Sequence, residues 1–358
     1  MKKSLLWFLI TFLLTANLNA QELPVFSQKF NNGLIYNPSQ AGLHSGAVDI
    51  SYQRQWSGLD RSINNLYAGL QNHFADGRIG ITANVFREKF NLLSTNFISA
   101  GAAYHLPFGN NSGLSMGVSV EYANINLDLN NVNISQENDP LIQNFPGYNH
   151  IDFGFGFTLS LQHFQIGASS VRFAQFLNTE DAVEKDYFPA MISGFSSYRF
   201  LLADENSWLE PRIHYRLVDN QLNILDVGLY FTYNNLITAG ASYRNNATIS
   251  GSVGVHLQDF TIAYSRQTLS NEFSSDLGGS DEITLRYTFN ENLNFFGTGS
   301  SRYRGRLGGG LGRGRDSNSK LMDRRVDRPR NRLNKNKERR KLRNYKGKYK
   351  KLLRNSRN

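Results

Sequence analysis

The chain has 358 residues, 40% of them apolar, a formal net charge of +10 and no cysteine. Disulfide staples, cysteine-ligated zinc and thiol catalysis are therefore excluded. The charge is divided: residues 301–358 hold 23 Lys/Arg against 4 Asp/Glu, so a body of −9 carries a tail of +19.

The chain opens with Met1-Lys2-Lys3 and the apolar run LLWFLITFLL, and Ala20 precedes Gln21-Glu22. This pattern predicts a secretory signal over 1–20, cleaved after Ala20. The run is too short to span a bilayer comfortably, for which ~20 residues are needed. With no cysteine after it, a lipid-anchored product is not expected. No later stretch approaches a transmembrane helix.

Residues 21–46 form a lead-in. Asn37-Pro38 and Ala41-Gly42 are turn chemistry. The segment precedes the first strand, so it is expected to start on the periplasmic side. It folds into a barrel lumen as a plug, lies across the base, or is a plain packed lead-in.

From 47 to 290 the chain alternates. IDFGFGFTLSLQ (151–162) places Ile151, Phe153, Phe155, Phe157, Leu159 and Leu161 on one face. Asp152, Gly154, Gly156, Thr158, Ser160 and Gln162 take the other. SGLSMGVSVEY, TISGSVGVHLQ and EITLRYTFN do the same. A period of two over eight to twelve residues marks strands. About fourteen are expected, at 47–56, 64–74, 78–87, 94–108, 113–127, 150–162, 164–175, 189–202, 207–219, 221–234, 236–245, 247–258, 259–269 and 281–290.

Every second connection is short, from Asp76-Gly77 to the 258–259 junction. The long ones (128–149, 176–188, 270–280) lie among the others, although Asp219-Asn220 and Asn245-Asn246 are short too. Tight turns at one end and longer loops at the other are the asymmetry of an outer-membrane barrel. A β-sandwich also alternates, but these strands have the length needed to cross a bilayer at a tilt. Their polar face carries Glu121, Asp152, Asp226, Arg244, His256 and Arg286, which a sandwich core would bury at high cost. The expected fold is all-β: a closed antiparallel transmembrane β-barrel of about 14 strands, with a disordered basic C-terminal tail. Aromatics near strand ends (Tyr52, Trp56, Phe74, Phe86, Tyr104, Phe108, Trp208, Tyr215, Tyr233, Tyr243, Phe289) read as interface girdles.

PVFSQKFNNGLIYNPSQAG (24–42) and YQRQWSGLD (52–60) resemble the PorP/SprF family, outer-membrane proteins of the type IX secretion and gliding apparatus of the Bacteroidetes. The matching positions are Phe26, Ser27 and Gln28; Tyr36, Asn37, Pro38, Ala41 and Gly42; and Arg54, Gln55, Trp56 and Gly58. The resemblance covers roughly 22–290. Ser39-Gln40 replaces the family's usual Ala-Tyr, and the basic tail falls outside its common pattern. The resemblance implies a non-enzymatic accessory that helps a large surface protein, such as a gliding adhesin, to be secreted or retained. It also implies contact with other secretion components.

The tail, 291–358, is too rich in glycine and charge to bury a core. Behind a signal peptide, a nucleic-acid partner is not expected. A periplasmic tether is, through Arg324, Arg325, Arg339, Arg340, Lys341, Lys350 and Lys351, to acidic subunits, anionic lipid or peptidoglycan. A solvated extension without a partner is the plainer reading. An even strand count returns the C-terminus to the periplasmic side.

Catalytic constellations are absent. The seven histidines have no metal-ligand spacing, and His150 near Asp152 is not by itself a site. QENDP (136–140) is a thin cation signal with two acids, and GLGRGR lacks the context of a phosphate loop. No cofactor is expected. The alternatives to the accessory are a passive porin and an outer-membrane hydrolase, and cargo would meet the long loops or the lumen.

Overall fold

The structure is a computed structural model and describes residues 26–28, 33–60, 62–109, 112–127, 145, 147–177, 188–203, 206–218, 223–270 and 274–291. Residues 1–20, expected to be a signal, the basic tail, most of 128–149 and of 176–188, and 271–273 lie outside the described residues.

Fourteen strands run in chain order: β1 Ser45–Gln55, β2 Ile63–Phe74, β3 Ile79–Phe90, β4 Leu93–Gly109, β5 Ser112–Leu127, β6 Tyr148–Leu161, β7 Phe164–Val171, β8 Met191–Tyr198, β9 Trp208–Val218, β10 Ile224–Tyr233, β11 Ile237–Arg244, β12 Thr248–Leu257, β13 Phe260–Leu269 and β14 Ser280–Glu291. Beyond a break at Arg199, β8 continues as Phe200–Leu201, which also pairs with β9. Each strand pairs antiparallel with its chain neighbour. β14 returns to β1, with Ser45 opposite Glu291 and Arg54 opposite Asp281. The ring is closed, so no strand edge meets hydrocarbon. No helix among the described residues is long and apolar enough to cross a membrane; the strands do so.

Parity decides the faces. On β6, Phe153 is 59% exposed and Asp152 1%. On β1, Val48, Ile50 and Tyr52 point outward, while Asp49, Ser51 and Gln53 are buried in the lumen. Each large outward side chain gains about 1.5–3 kcal/mol on leaving water; lipid supplies that burial. Inside, charges pair across neighbouring strands. Arg286 meets Asp49 at 3.2 Å over the closing seam, and Arg244 meets Asp226 at 3.3 Å.

Two stretches show how boundaries depart from the alternation. β3 and β4 run on to a two-residue turn at Asn91-Leu92, with Asn91 left-handed (φ 54). β7 stops at Val171, four residues early, because Arg172 turns left-handed (φ 57). A helical turn, Ala174–Leu177, follows, and the Ala174 N–H donates to Asp152 Oδ1 at 2.7 Å. Phe86 and Trp208 are not girdle residues. Phe86 stands on the lumen face and packs edge-on against Phe26, and Trp208 is buried and donates to Glu210.

Val118 is 62% exposed on the outer wall of β5. Arginine there should cost about 2–4 kcal/mol if the site is near the bilayer midplane. Denaturant unfolding of the barrel in liposomes checks it.

Candidate functional site

Within the lumen, the described part of the lead-in runs lengthwise. Phe26 packs against Tyr67 and Phe86 at centroid distances of 6.2 and 5.9 Å. The Ser27 and Gln28 N–H groups donate to the two oxygens of buried Glu282, at 2.6 and 3.2 Å. Gln267 Nε2 donates to Ser27 Oγ at 2.6 Å. These contacts lie toward the long-loop end, since Glu282 stands opposite Gln53 near the far end of β1. The sequence expectation set the start of the segment on the turn side. The described residues reach that side at Ala41 and Gly42, where the Gly42 N–H donates to Gln71 Oε1 at 3.0 Å.

Between these ends the chain makes two 3₁₀ turns, Gly33–Ile35 and Pro38–Gln40. Pro38 occupies the first helical position, where its missing N–H costs nothing. Asn37 caps the turn: its Oδ1 accepts from the Ser39 N–H (3.0 Å) and Ser39 Oγ (2.7 Å). Its amide donates to Phe157 O and Thr158 Oγ1 on β6, at 3.2 and 3.3 Å. Tyr36 is buried between the His214 ring and the Arg216 guanidinium. Its carbonyl accepts from Ser193 Oγ at 3.1 Å and from Ser169 Oγ. His105 Nε2 stands 2.9 Å from the Ala41 carbonyl and Nδ1 stands 2.9 Å from Ser115 Oγ. A carbonyl only accepts, so Nε2 carries a proton and the serine hydroxyl can serve Nδ1.

Glycines seat this turn. Gly117 and Gly156 are direct partners across β5 and β6. A Cβ on Gly117 would strike the Pro38 backbone, one on Gly156 would strike the Asn37 side chain, and one on Gly80 would strike the Ala41 carbonyl. Gly42 itself is left-handed (φ 60). Two cavities remain beside the segment. One of about 70 Å³ lies between Phe26, Tyr36, Tyr67 and Phe97. The other, of about 120 Å³, lies between Tyr36, Gln40, Glu210, Arg212 and Tyr230.

The second motif lies elsewhere. Gln55 faces the lumen, and Arg54 points outward with its Nε on Ser62 Oγ at 2.9 Å. Trp56 is left-handed (φ 55), and the Ser57 and Gly58 N–H groups donate to Gly279 O (2.8 Å) and Leu277 O (3.0 Å). This joins the first loop to the last at the closing seam. The motif residues thus form a lumen set and a rim set rather than one surface. The tail candidates and QENDP lie outside the described residues. No group of three or more His, Asp or Glu poised for a metal stands among the described residues. His150 does meet Asp152 at 3.1 Å, but Asp152 also accepts from the Phe153 and Ala174 N–H groups, an anchoring role for the helical turn.

Sequence reasoning assigned no site role to Gly80, His105, Gly117, Thr158 or Glu282. The available signal was glycine on the polar face of consecutive strands.

The family described as "Type IX secretion system membrane protein PorP/SprF" matches residues 18–287. No curated protein matches the chain. Among solved structures, the Acinetobacter baumannii outer membrane protein Omp33 is 9% identical over 69% of this chain and 100% of that one, with a TM-score of 0.40. A Pseudomonas aeruginosa FadL homologue is 11% identical over 71% of this chain and 93% of that one, with a TM-score of 0.41. At these scores the likenesses carry no argument.

Valine at Gly80 or Gly117 should unseat the turn while leaving the barrel closed. Ser39→Cys, buried in the parent, should resist a membrane-impermeant thiol reagent and become labelled in the Gly80→Val background.

Proposed function

The chain belongs to the PorP/SprF family of type IX secretion system membrane proteins, and from that premise we propose that it is a non-enzymatic outer-membrane accessory for secreting or anchoring one large surface protein, such as a gliding adhesin. The observation that carries this reading is the occupied lumen. A porin for small solutes needs an open path, whereas here Phe26–Gln28 and Gly33–Leu43 lie along the bore, bonded to β4, β6, β7, β8 and β14. A barrel that spends its bore on its own chain acts through its surfaces.

On this reading the long connections 128–149, 176–188 and 270–280 face the cell exterior and meet the cargo. The rim set around Trp56 and Gly58 holds the first and last loops in one arrangement for that contact. On the periplasmic side the basic tail, with Arg324, Arg325, Arg339, Arg340, Lys341, Lys350 and Lys351, tethers the barrel to acidic secretion subunits or to peptidoglycan carboxylates. The lumen set, Phe26 to Gly42, holds the barrel shut and rigid.

Planar-bilayer recording of the purified chain should give no steady conductance. Deletion in the native bacterium should strip one large surface protein from the cell and leave growth on small solutes unchanged. A constantly open pore, or a growth defect on solutes with the surface proteins intact, would sink the proposal.

A further inference from the structure

The outer wall carries charge in one place. Every outward-facing charged strand residue among those described lies at the long-loop end of four strands: Arg54 on β1, Arg87 and Lys89 on β3, Arg266 on β13 and Asp281 on β14. Register sets most of them in a single row. Arg266 is opposite Asp281, Asp281 opposite Arg54, Arg54 opposite Asn64, and Asn64 opposite Lys89. Arg87 stands two residues below Lys89. Directly beneath the row on β13, β14, β1 and β2 the wall is apolar or aromatic: Tyr264, Ile283, Tyr52 and Leu66 are all more than 40% exposed. The row therefore lies where hydrocarbon gives way to headgroups.

Its composition is not that of a generic interface. Four cations stand against one acid, and Asp281 is already engaged by Arg266 at 2.9 Å. At the same end β5 and β6 offer only uncharged polar groups outward: Tyr122, Asn124, Asn126 and Asn149. At the turn end the outward strand positions among the described residues are uncharged, as with Val48, Leu70, Ile79, Ile262 and Phe289. Snorkelling alone gives no reason for cations to collect in one sector of one rim.

The arginines are also held. Arg54 Nε donates to Ser62 Oγ at 2.9 Å, and Arg87 Nε donates to Ser94 Oγ at 3.2 Å. A serine hydroxyl thus fixes each guanidinium through its inner nitrogen, which leaves the two terminal nitrogens to a ligand. That fork matches a phosphate. Arg54 and Lys89 are two strand spacings apart, about 10 Å, wide enough for a headgroup bearing more than one phosphate.

We propose that the rim of β13, β14 and β1–β3 is a binding site for a phosphorylated glycolipid of the outer leaflet. Arg54 and Arg87 grip phosphate, Lys89 adds positive charge beside them, Arg266 neutralises Asp281, and Tyr52, Leu66 and Ile283 pack on the acyl chains. Long loops mark this end as the outer one, so the ligand is the glycolipid of that leaflet rather than an inner-leaflet phospholipid. The proposal does not depend on what the barrel secretes or anchors.

The full-length barrel, stripped in detergent, is to be offered bisphosphorylated lipid A, the same lipid A with its phosphates removed, or phosphatidylglycerol. Bound lipid is read by native mass spectrometry and by the shift in unfolding temperature. The parent should retain the bisphosphorylated lipid and discriminate against the other two. Arg54→Gln/Arg87→Gln/Lys89→Gln should bind it on the order of a hundredfold more weakly, since each cation near a charged surface contributes roughly fivefold. Strand content and heat-modifiable migration report whether that variant folds. If it does not, the single variants R54Q and R87Q carry the test at about fivefold each. Equal retention of all three lipids, or undiminished binding of bisphosphorylated lipid A by the folded variants, overturns the assignment.

Discussion

In hydrocarbon a backbone N–H or C=O has no water to turn to, and each one left alone costs several kcal/mol. That constraint explains the ring. β14 returns to β1 because an open sheet would leave a column of such groups on each edge. Closure fixes parity as well: once one residue of a strand faces lipid, its neighbours face the lumen, and no strand can slip by one without exchanging its whole set. The alternation of Val48, Ile50 and Tyr52 with Asp49, Ser51 and Gln53 is therefore a structural requirement rather than a preference.

The same wall sets a second problem. A barrel of this size has an interior that small and polar side chains alone do not fill, and the inward row of β5 and β6 is thin: Gly117 and Gly156 leave no side chain where the strands meet. The lead-in fills that space. Its turn lies on the paired glycines, its cap amide reaches the β6 backbone, and its Tyr36 carbonyl takes the hydroxyls of both Ser169 and Ser193. Several of the charges inside are matched on neighbouring strands, Asp49 to Arg286 and Asp226 to Arg244. Among the described residues the lumen is therefore polar yet packed.

Much of this was legible in the sequence. Period-two alternation located all fourteen strands, because parity is a local property that lipid on one side makes strict. It erred where a tertiary contact took over. β7 ends early because Asp152, on the neighbouring strand, captures the Ala174 N–H. Phe86 and Trp208 resembled girdle aromatics by position, but parity turns them inward, to Phe26 and Glu210. The glycines at 154 and 156 were visible as an anomaly, yet nothing local reveals that Asn37, some 120 residues earlier, lies against one of them. The motif residues were visible only by resemblance, and their division into a lumen set and a rim set depends on contacts between opposite ends of the chain.

Those long-range contacts bear on how the barrel closes. Glu282 belongs to the last strand and holds Ser27 and Gln28, which precede the first. Gln267, on the strand before it, holds Ser27 as well. At the rim, Ser57 and Gly58 after β1 take the carbonyls of Gly279 and Leu277 before β14. So the seam is joined three times: by the ladder in the wall, by the lead-in within and by the loops above. The inner and upper joins form only when β1 and β14 are side by side, and each removes freedom from the two strands that the ladder must pair. Seating the lead-in and closing the ring therefore reinforce one another. A change that empties the lumen weakens the seam, although no residue of the seam has been altered.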